Sequence, residues 1–96
     1  MGYEWDPTKN RANIAIRGID FADAVRIFDG PTLEKADDRY DYGEARTSAV
    51  GVMDGREVVV VYTERGENRT IISARKATSY ERKAYHKAYS HLAPPR

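Results

Sequence analysis

Cysteine is absent from the 96 residues, which removes disulfide stapling, thiolate catalysis and cysteine-based zinc sites together. Long apolar runs are missing as well. None approaches the roughly 18 residues of a membrane span, and the N-terminus lacks the basic-then-apolar order of a secretion signal, so a soluble cytoplasmic protein with no membrane role is expected. Glycine and proline are sparse, at seven and four, and 41% hydrophobic with 32% charged residues is a globular composition rather than a disordered or fibrous one. A single domain over residues 1–96 follows from the length. Neither a glycine-rich phosphate loop nor a nucleophile elbow is present.

A strong excess of one charge is missing too. Sixteen Lys and Arg face fifteen Asp and Glu, a net charge of +1 that argues against a uniformly basic nucleic-acid binder. The balance is not local, however. Residues 1–55 hold seven basic and eleven acidic side chains, whereas residues 56–96 hold nine and four. A polyanion-binding surface can therefore sit on the later part of a nearly neutral domain.

Histidine is limited to His86 and His91. Five residues apart, they lie about 140° apart on a helix and cannot share a metal, so they read as solvent-facing residues. The acidic stretch Asp37, Asp38, Asp41 and Glu44 lacks the alternating oxygen ligands of a calcium loop and carries Arg39 where a ligand would be needed. It reads as a solvated loop, and neither metal nor cofactor is expected.

The patterns that are present describe an α+β chain. Asp6-Pro7 is an N-cap followed by proline at the first helical position, which predicts a helix from Pro7 to about Arg17 ended by Gly18. Asp20 caps a second helix through Phe28, with Phe21, Ala24, Val25 and Phe28 at helical spacing and Gly30-Pro31 as its stop. Thr32 to Ala36 is a candidate short strand. Three strands follow: Arg46 to Met53, a hairpin turn at Asp54-Gly55, Arg56 to Arg65 with its doubly apolar Val58-Val59-Val60-Val61-Tyr62, a turn at Gly66-Glu67-Asn68, and Arg69 to Lys76. Thr78-Ser79-Tyr80-Glu81 is a capping box opening a last helix, with Ala84, Tyr85, Ala88, Tyr89 and Leu92 inward. The tail from about residue 93 reads as frayed. The whole is two N-terminal helices, an antiparallel sheet of three to four strands and a C-terminal helix, with the helices packed on one sheet. Trp5, Phe21 and Phe28 are assigned to the core.

Chemistry concentrates in the last third, where Arg65, Arg69, Arg75, Lys76, Arg82 and Lys83 stand among Tyr80, Tyr85 and Tyr89. Guanidinium forks match phosphate oxygens and tyrosines offer stacking faces, which is RNA-compatible chemistry. Solvated strand and helix edges would use the same residues. Strict alternation puts Arg69, Ile71, Ser73 and Arg75 on one strand face. Hairpin length then decides whether Glu64 or Arg65 lies opposite Arg69.

The order and spacing of certain residues resemble the BrnT family of toxins from bacterial toxin–antitoxin modules, from Glu4 to about Tyr85. The pieces are Glu4-Trp5-Asp6-Pro7 with Lys9 and Asn13, then Gly18, Phe21, Ala24 and Phe28; Asp37 and Arg39; Gly43-Glu44 with Arg46; Gly51; Tyr62-Thr63-Glu64-Arg65; and Ile72 through Thr78, ending in Glu81-Arg82 and Tyr85. The resemblance implies a RelE-like fold, a growth-halting ribonuclease, and neutralisation by a BrnA-type antitoxin of ribbon-helix-helix class. Operator DNA would be bound only through the toxin–antitoxin complex, and toxin dimerisation would run through the antitoxin. Family members commonly carry Lys-His-Gly where this chain has Ile16-Arg17-Gly18, so the easiest proton carrier is lost there.

A metal-independent ribonuclease needs a base for the 2′-hydroxyl, cations for the phosphorane and an acid for the 5′-oxygen. Glu64 is expected as base, Arg69, Arg75 and Arg82 as the phosphate set converging on one surface, and Tyr85 as acid if those arginines lower its hydroxyl. Lys9, Arg17, Arg46, Arg65 and Lys76 are secondary RNA contacts. A catalytically weakened module that binds RNA or a protein partner without cleavage is the rival reading, and inhibition of a protein target is a third.

Overall fold

The computed structural model of the chain describes residues 2–39 and 43–90. Asp6 accepts from the Thr8 N–H and Pro7 opens α1 (Pro7–Arg17), which Gly18 ends in the left-handed region at φ 72°. Asp20 caps α2 in the same manner, but α2 spans only Phe21–Ala24 and tightens into a 3₁₀ turn over Val25–Asp29. The single longer helix expected there is thus two short pieces. The tight turn presses on the sheet at Gly51, where a Cβ would lie 2.7 Å from the Ile27 Cβ.

The sheet has five strands rather than three or four: β1 (Gly2–Glu4), β2 (Leu33–Ala36), β3 (Thr47–Met53), β4 (Arg56–Arg65) and β5 (Asn68–Lys76), in the order β1-β5-β4-β3-β2. It is mixed, because β1 runs parallel to β5. Three residues are too few to show an alternation in sequence, which is why β1 was not anticipated. Asp54 and Gly55 both have positive φ, the mirror-type turn their sequence announces. The second hairpin closes on two residues, Gly66 and Glu67, so Glu64 pairs with Arg69 and Arg65 with Asn68.

One irregularity reorganises the strand faces. Val61 pairs with Ser73 but Tyr62 pairs with Ile71, leaving Ile72 as an extra residue in β5. Arg69 and Ile71 consequently face the side of Tyr62 and Glu64, while Ser73 and Arg75 face the side of Val59 and Val61. The alternation that joined Arg69 to Arg75 breaks at this bulge.

Helices pack on this one sheet, covering both of its faces. On the first face Ile19, Phe21, Ala24 and Ile27 pack with Ala49, Met53, Val58, Val60, Tyr62 and Ile71, and Trp5 and Phe28 lean against them as expected of core residues. On the second, Val50, Val59, Ala77 and Tyr85 form a smaller cluster with Leu33 and Tyr89 beneath α3 (Ser79–Ala88). Strand β4 is buried from Val58 to Thr63, in keeping with a central strand. Of the residues expected to line the inner face of α3, Ala88 is exposed, and Leu92 and the tail lie outside the described residues. No helix among the described residues is long and apolar enough to cross a membrane.

Helix α1 buries no residue completely, so apolar packing alone does not hold it. Two asparagines tether it instead. Asn10 accepts from the Phe21 N–H and donates to Asp20, while Asn13 donates to the Ile19 and Ala74 carbonyls and accepts from the Ala74 N–H. The Asn13 amide thereby stands in for a neighbouring strand beside β5 past the end of β1. At the other end of the chain, the Thr78 hydroxyl accepts from the Glu81 N–H and Glu81 accepts from the Thr78 N–H, completing the expected capping box. Glu81 also accepts both arms of Arg75 at 2.7 and 2.8 Å, which clamps α3 to β5.

Two predictions follow from these tethers. Asn13→Ala should cost about 2–3 kcal/mol in urea unfolding, because it strips partners from buried backbone groups, and Asn13→Asp should cost more by aiming a carboxylate at two carbonyls. The Arg75 guanidinium, against the opposing effect of burial, holds the Glu81 carboxyl down at about 2, below its ordinary 4.5. Its stabilisation is present above pH about 4.5 and lost as the pH falls toward 2. Glu81→Gln should therefore cost roughly 2 kcal/mol at pH 7, and the gap to the parent should narrow on acidification through that window.

Candidate active site

The second sheet face carries two rows of side chains running across the strands. One row is Leu33, Val50, Val59 and Arg75, and the next is Lys35, Ser48, Val61 and Ser73, each set by the strand register. Helix α3 covers the first row through Tyr85 and Tyr89, whose hydroxyls donate to the Pro31 and Thr32 carbonyls. The second row stays open and forms the floor of a cleft of about 470 Å³, spanning four strands and hence about 14 Å.

Charged walls rise around that floor. Arg17 enters from the last turn of α1, Asp37, Asp38 and Arg39 from the segment after β2, and Arg75 with Glu81 from the β5–α3 junction. Four cations, Arg17, Lys35, Arg39 and Arg75, thus meet three carboxylates. Two of the cations are held by carboxylates: Arg39 bonds Asp37 at 2.8 and 3.2 Å, and Arg75 is forked onto Glu81. Asp37 is buried rather than solvated, and its N–H donates to the Arg46 carbonyl. Hydrogen bonding from Arg39, working against burial, keeps its carboxyl below the usual range. Arg17 and Lys35 make no salt bridge among the described residues. A cleft with fixed guanidinium forks and two further cations is built to receive an anion with several oxygens.

The residues expected to act together are separated. Arg69 lies on the opposite face, its guanidinium 4.7 Å from the Phe28 ring centre and 4.5 Å from that of Tyr62. Glu64 sits beside it at 3.4 Å. Tyr3 stacks on Phe28, and the Tyr62 hydroxyl donates to Glu34 at 2.7 Å, with burial first and that carboxylate second pushing the phenol up to about 12. Arg69 is an element of aromatic packing there. The Ile72 bulge accounts for this, so Arg69, Arg75 and Arg82 do not converge. Arg82 is exposed on α3, and its charge acts on Glu57. Tyr85 is buried, and burial, followed by Tyr89 and Glu57, raises its hydroxyl instead of lowering it.

Among the secondary candidates, only Arg17 lines the cleft. Arg65 forks onto Glu44 at 3.1 and 3.2 Å, and Arg46 lies 3.7 Å from the same carboxylate. Lys9 is exposed on α1, and Lys76, paired with Val58, faces away from Arg75. His86 meets Glu57 at 2.6 Å rather than standing in solvent alone. Lys35, Ser48 and Glu81 were not singled out as site residues from sequence. The position of Lys35 two residues after Leu33 puts it on the α3 face, but only the β2–β3 register brings it beside Ser48. No cluster of three or more metal-ligating side chains is found among the described residues.

Comparison with known proteins bears on the same residues. A crystal structure of the ribonuclease toxin BrnT from Brucella abortus resembles the fold with a TM-score of 0.63 at 30% identity, over 82% of this chain and 99% of that one. A search of curated protein sequences returned no match. The family model for the BrnT ribonuclease toxin of type II toxin–antitoxin systems matches residues 5–81, a span holding every cleft residue named above. With both likenesses in hand, the chain belongs to the BrnT family of ribonuclease toxins.

Proposed function

We propose that the chain is a metal-independent endoribonuclease that cleaves RNA in the α3-side cleft, inhibits growth, and is neutralised by a BrnA-type antitoxin through which operator DNA is bound. The meeting of Arg17, Lys35, Arg39 and Arg75 from four separate segments carries this reading. A phosphodiester seated there would take two or more cationic contacts, which serves the charge that builds on the phosphorane.

Proton traffic follows from which groups can exchange protons. Guanidinium cannot be deprotonated, so Lys35 is the one cleft cation able to release a proton. Glu81 is ionised at neutral pH and becomes the base when the incoming phosphate draws Arg75 away from it. In the reaction the 2′-oxygen bonds to phosphorus as its proton passes to Glu81. The bond from phosphorus to the 5′-oxygen breaks, and that oxygen takes a proton from Lys35. The products are a 2′,3′-cyclic phosphate and a 5′-hydroxyl. Relative to the roles expected from sequence, Arg75 and Arg17 are retained, while Glu64, Arg69, Arg82 and Tyr85 give way to Glu81, Arg39 and Lys35.

Binding without cleavage is the second reading, favoured by Arg17 standing in the cleft where relatives commonly carry histidine. One assay separates the two. The purified chain should shorten RNA in EDTA and leave 2′,3′-cyclic phosphate ends. Lys35→Ala and Glu81→Gln should slow cleavage by roughly 100-fold or more, whereas Glu64→Ala should not. Circular dichroism should stay unchanged for Lys35→Ala. Intact RNA after incubation with the parent chain would reject the enzyme, and parent-like cleavage by Lys35→Ala would reject the proton assignment.

A further inference from the structure

A second hollow adjoins the cleft and differs from it in character. It is a groove of about 220 Å³ between α3 and the β2–β3 pair, with Leu33, Val50 and Ala84 as its apolar walls. Tyr80 lines it as well, with 79% of that residue exposed, so its ring is free to meet a ligand. The two hollows adjoin, since Lys35, Ser48 and Glu81 line both. Lys35 and Leu33 are two residues apart on one strand face, about 7 Å, which is the distance from a backbone phosphate to the base of the adjoining nucleotide to within an ångström or two.

We propose that this groove is a nucleobase subsite, in which single-stranded RNA with a phosphate in the cleft lays the neighbouring base against the half-buried Leu33 and Ala84, with the buried Val50 behind them, under the ring of Tyr80. The inference rests on the cleft being the RNA site and adds where the base goes. The shared lining residues choose this occupant. A chain that must place charge beside Lys35 and an apolar plane beside Leu33 within one residue's reach is a nucleotide chain. A base held in a duplex could not turn its face to the groove, so the subsite restricts the substrate to single strands. The Ser48 hydroxyl at the boundary makes no hydrogen bond among the described residues and can accept or donate to a base edge. Stacking on tyrosine tolerates all four bases, so the subsite confers strand selectivity more than sequence selectivity.

The test uses the full chain and two fluorescent single-stranded probes of equal length, a 2′-O-methylated oligoribonucleotide that cannot be cleaved and its abasic counterpart. Tyr80→Ala should weaken binding of the first probe by roughly ten-fold and leave the abasic probe unaffected, while Tyr80→Phe should bind both like the parent. Lys35→Ala should weaken both probes and flatten the salt dependence. Because Tyr80 is largely exposed, its loss leaves the core intact, and circular dichroism provides the control. If Tyr80→Ala binds the base-bearing probe like the parent while Lys35→Ala weakens it, the subsite is rejected and the cleft stands. Equal weakening of both probes by Tyr80→Ala also rejects the subsite. If Lys35→Ala weakens neither probe, the cleft itself is rejected as the RNA site.

Discussion

A single extra residue in β5 decides which charges can meet. In a regular strand Ile72 would take its turn in the alternation and Arg69, Ile71, Ser73 and Arg75 would share one side; left out of the pairing as a bulge, it makes the strand change sides midway. The half near the hairpin delivers Arg69 to the aromatic rings of Phe28 and Tyr62, and the half near α3 delivers Ser73 and Arg75 to the cleft. One strand thereby supplies a half-buried cation to aromatic packing and another to the cleft. A bulge of this kind survives only if flanking pairs on both sides pin the register, and the Val58 to Val61 pairings before it and the Tyr62 to Arg65 pairings after it do so.

Immediately beyond the bulge the backbone of Ala74 is closed by the Asn13 amide, and this couples α1 to the same point. Arg17 lies one helical turn after Asn13, so the polar tether that replaces apolar packing under α1 also aims the last turn of the helix at the cleft. Hydrogen bonds have direction where hydrophobic contact has little, and a helix fixed by them keeps its rotation about its own axis. The cost of this arrangement is that Ile14 and Ile16 remain exposed, since the helix was not turned to bury them.

Most of the fold was legible because its signals are local. Asp6-Pro7, Asp20, Asp54-Gly55 and the Thr78 to Glu81 box act within four residues, and all four appear where the sequence puts them. The doubly buried β4 was equally plain, as four successive valines leave no polar face. What stayed hidden depends on pairing at a distance. The parallel β1 has no pattern of its own, and nothing in Arg69 through Arg75 distinguishes a regular strand from a bulged one. The candidate site suffered most from this. Arg17 and Arg75 were named from their chemistry, but Lys35 and Ser48 become neighbours of Ser73 only through the registers of three strand pairs.

The cleft is close to neutral in sum, and this is what makes an arginine site compatible with a stable fold. Four unscreened cations around one cleft would repel, and a substrate could be bound only after that repulsion had been met by the rest of the protein. Asp37 and Glu81 remove it by holding Arg39 and Arg75 in fixed forks. An arriving phosphate then does not create an ion pair from separated charges. On the proposed reading it exchanges one carboxylate partner for another anion of similar geometry, so much of the guanidinium desolvation and ordering has already been met in folding. In that reading Lys35 and Arg17 supply the net attraction, and the displaced carboxylate is left beside the substrate, where a base is required. The pairing that stabilises α3 in the free protein and the proposed activation of Glu81 are two states of one interaction.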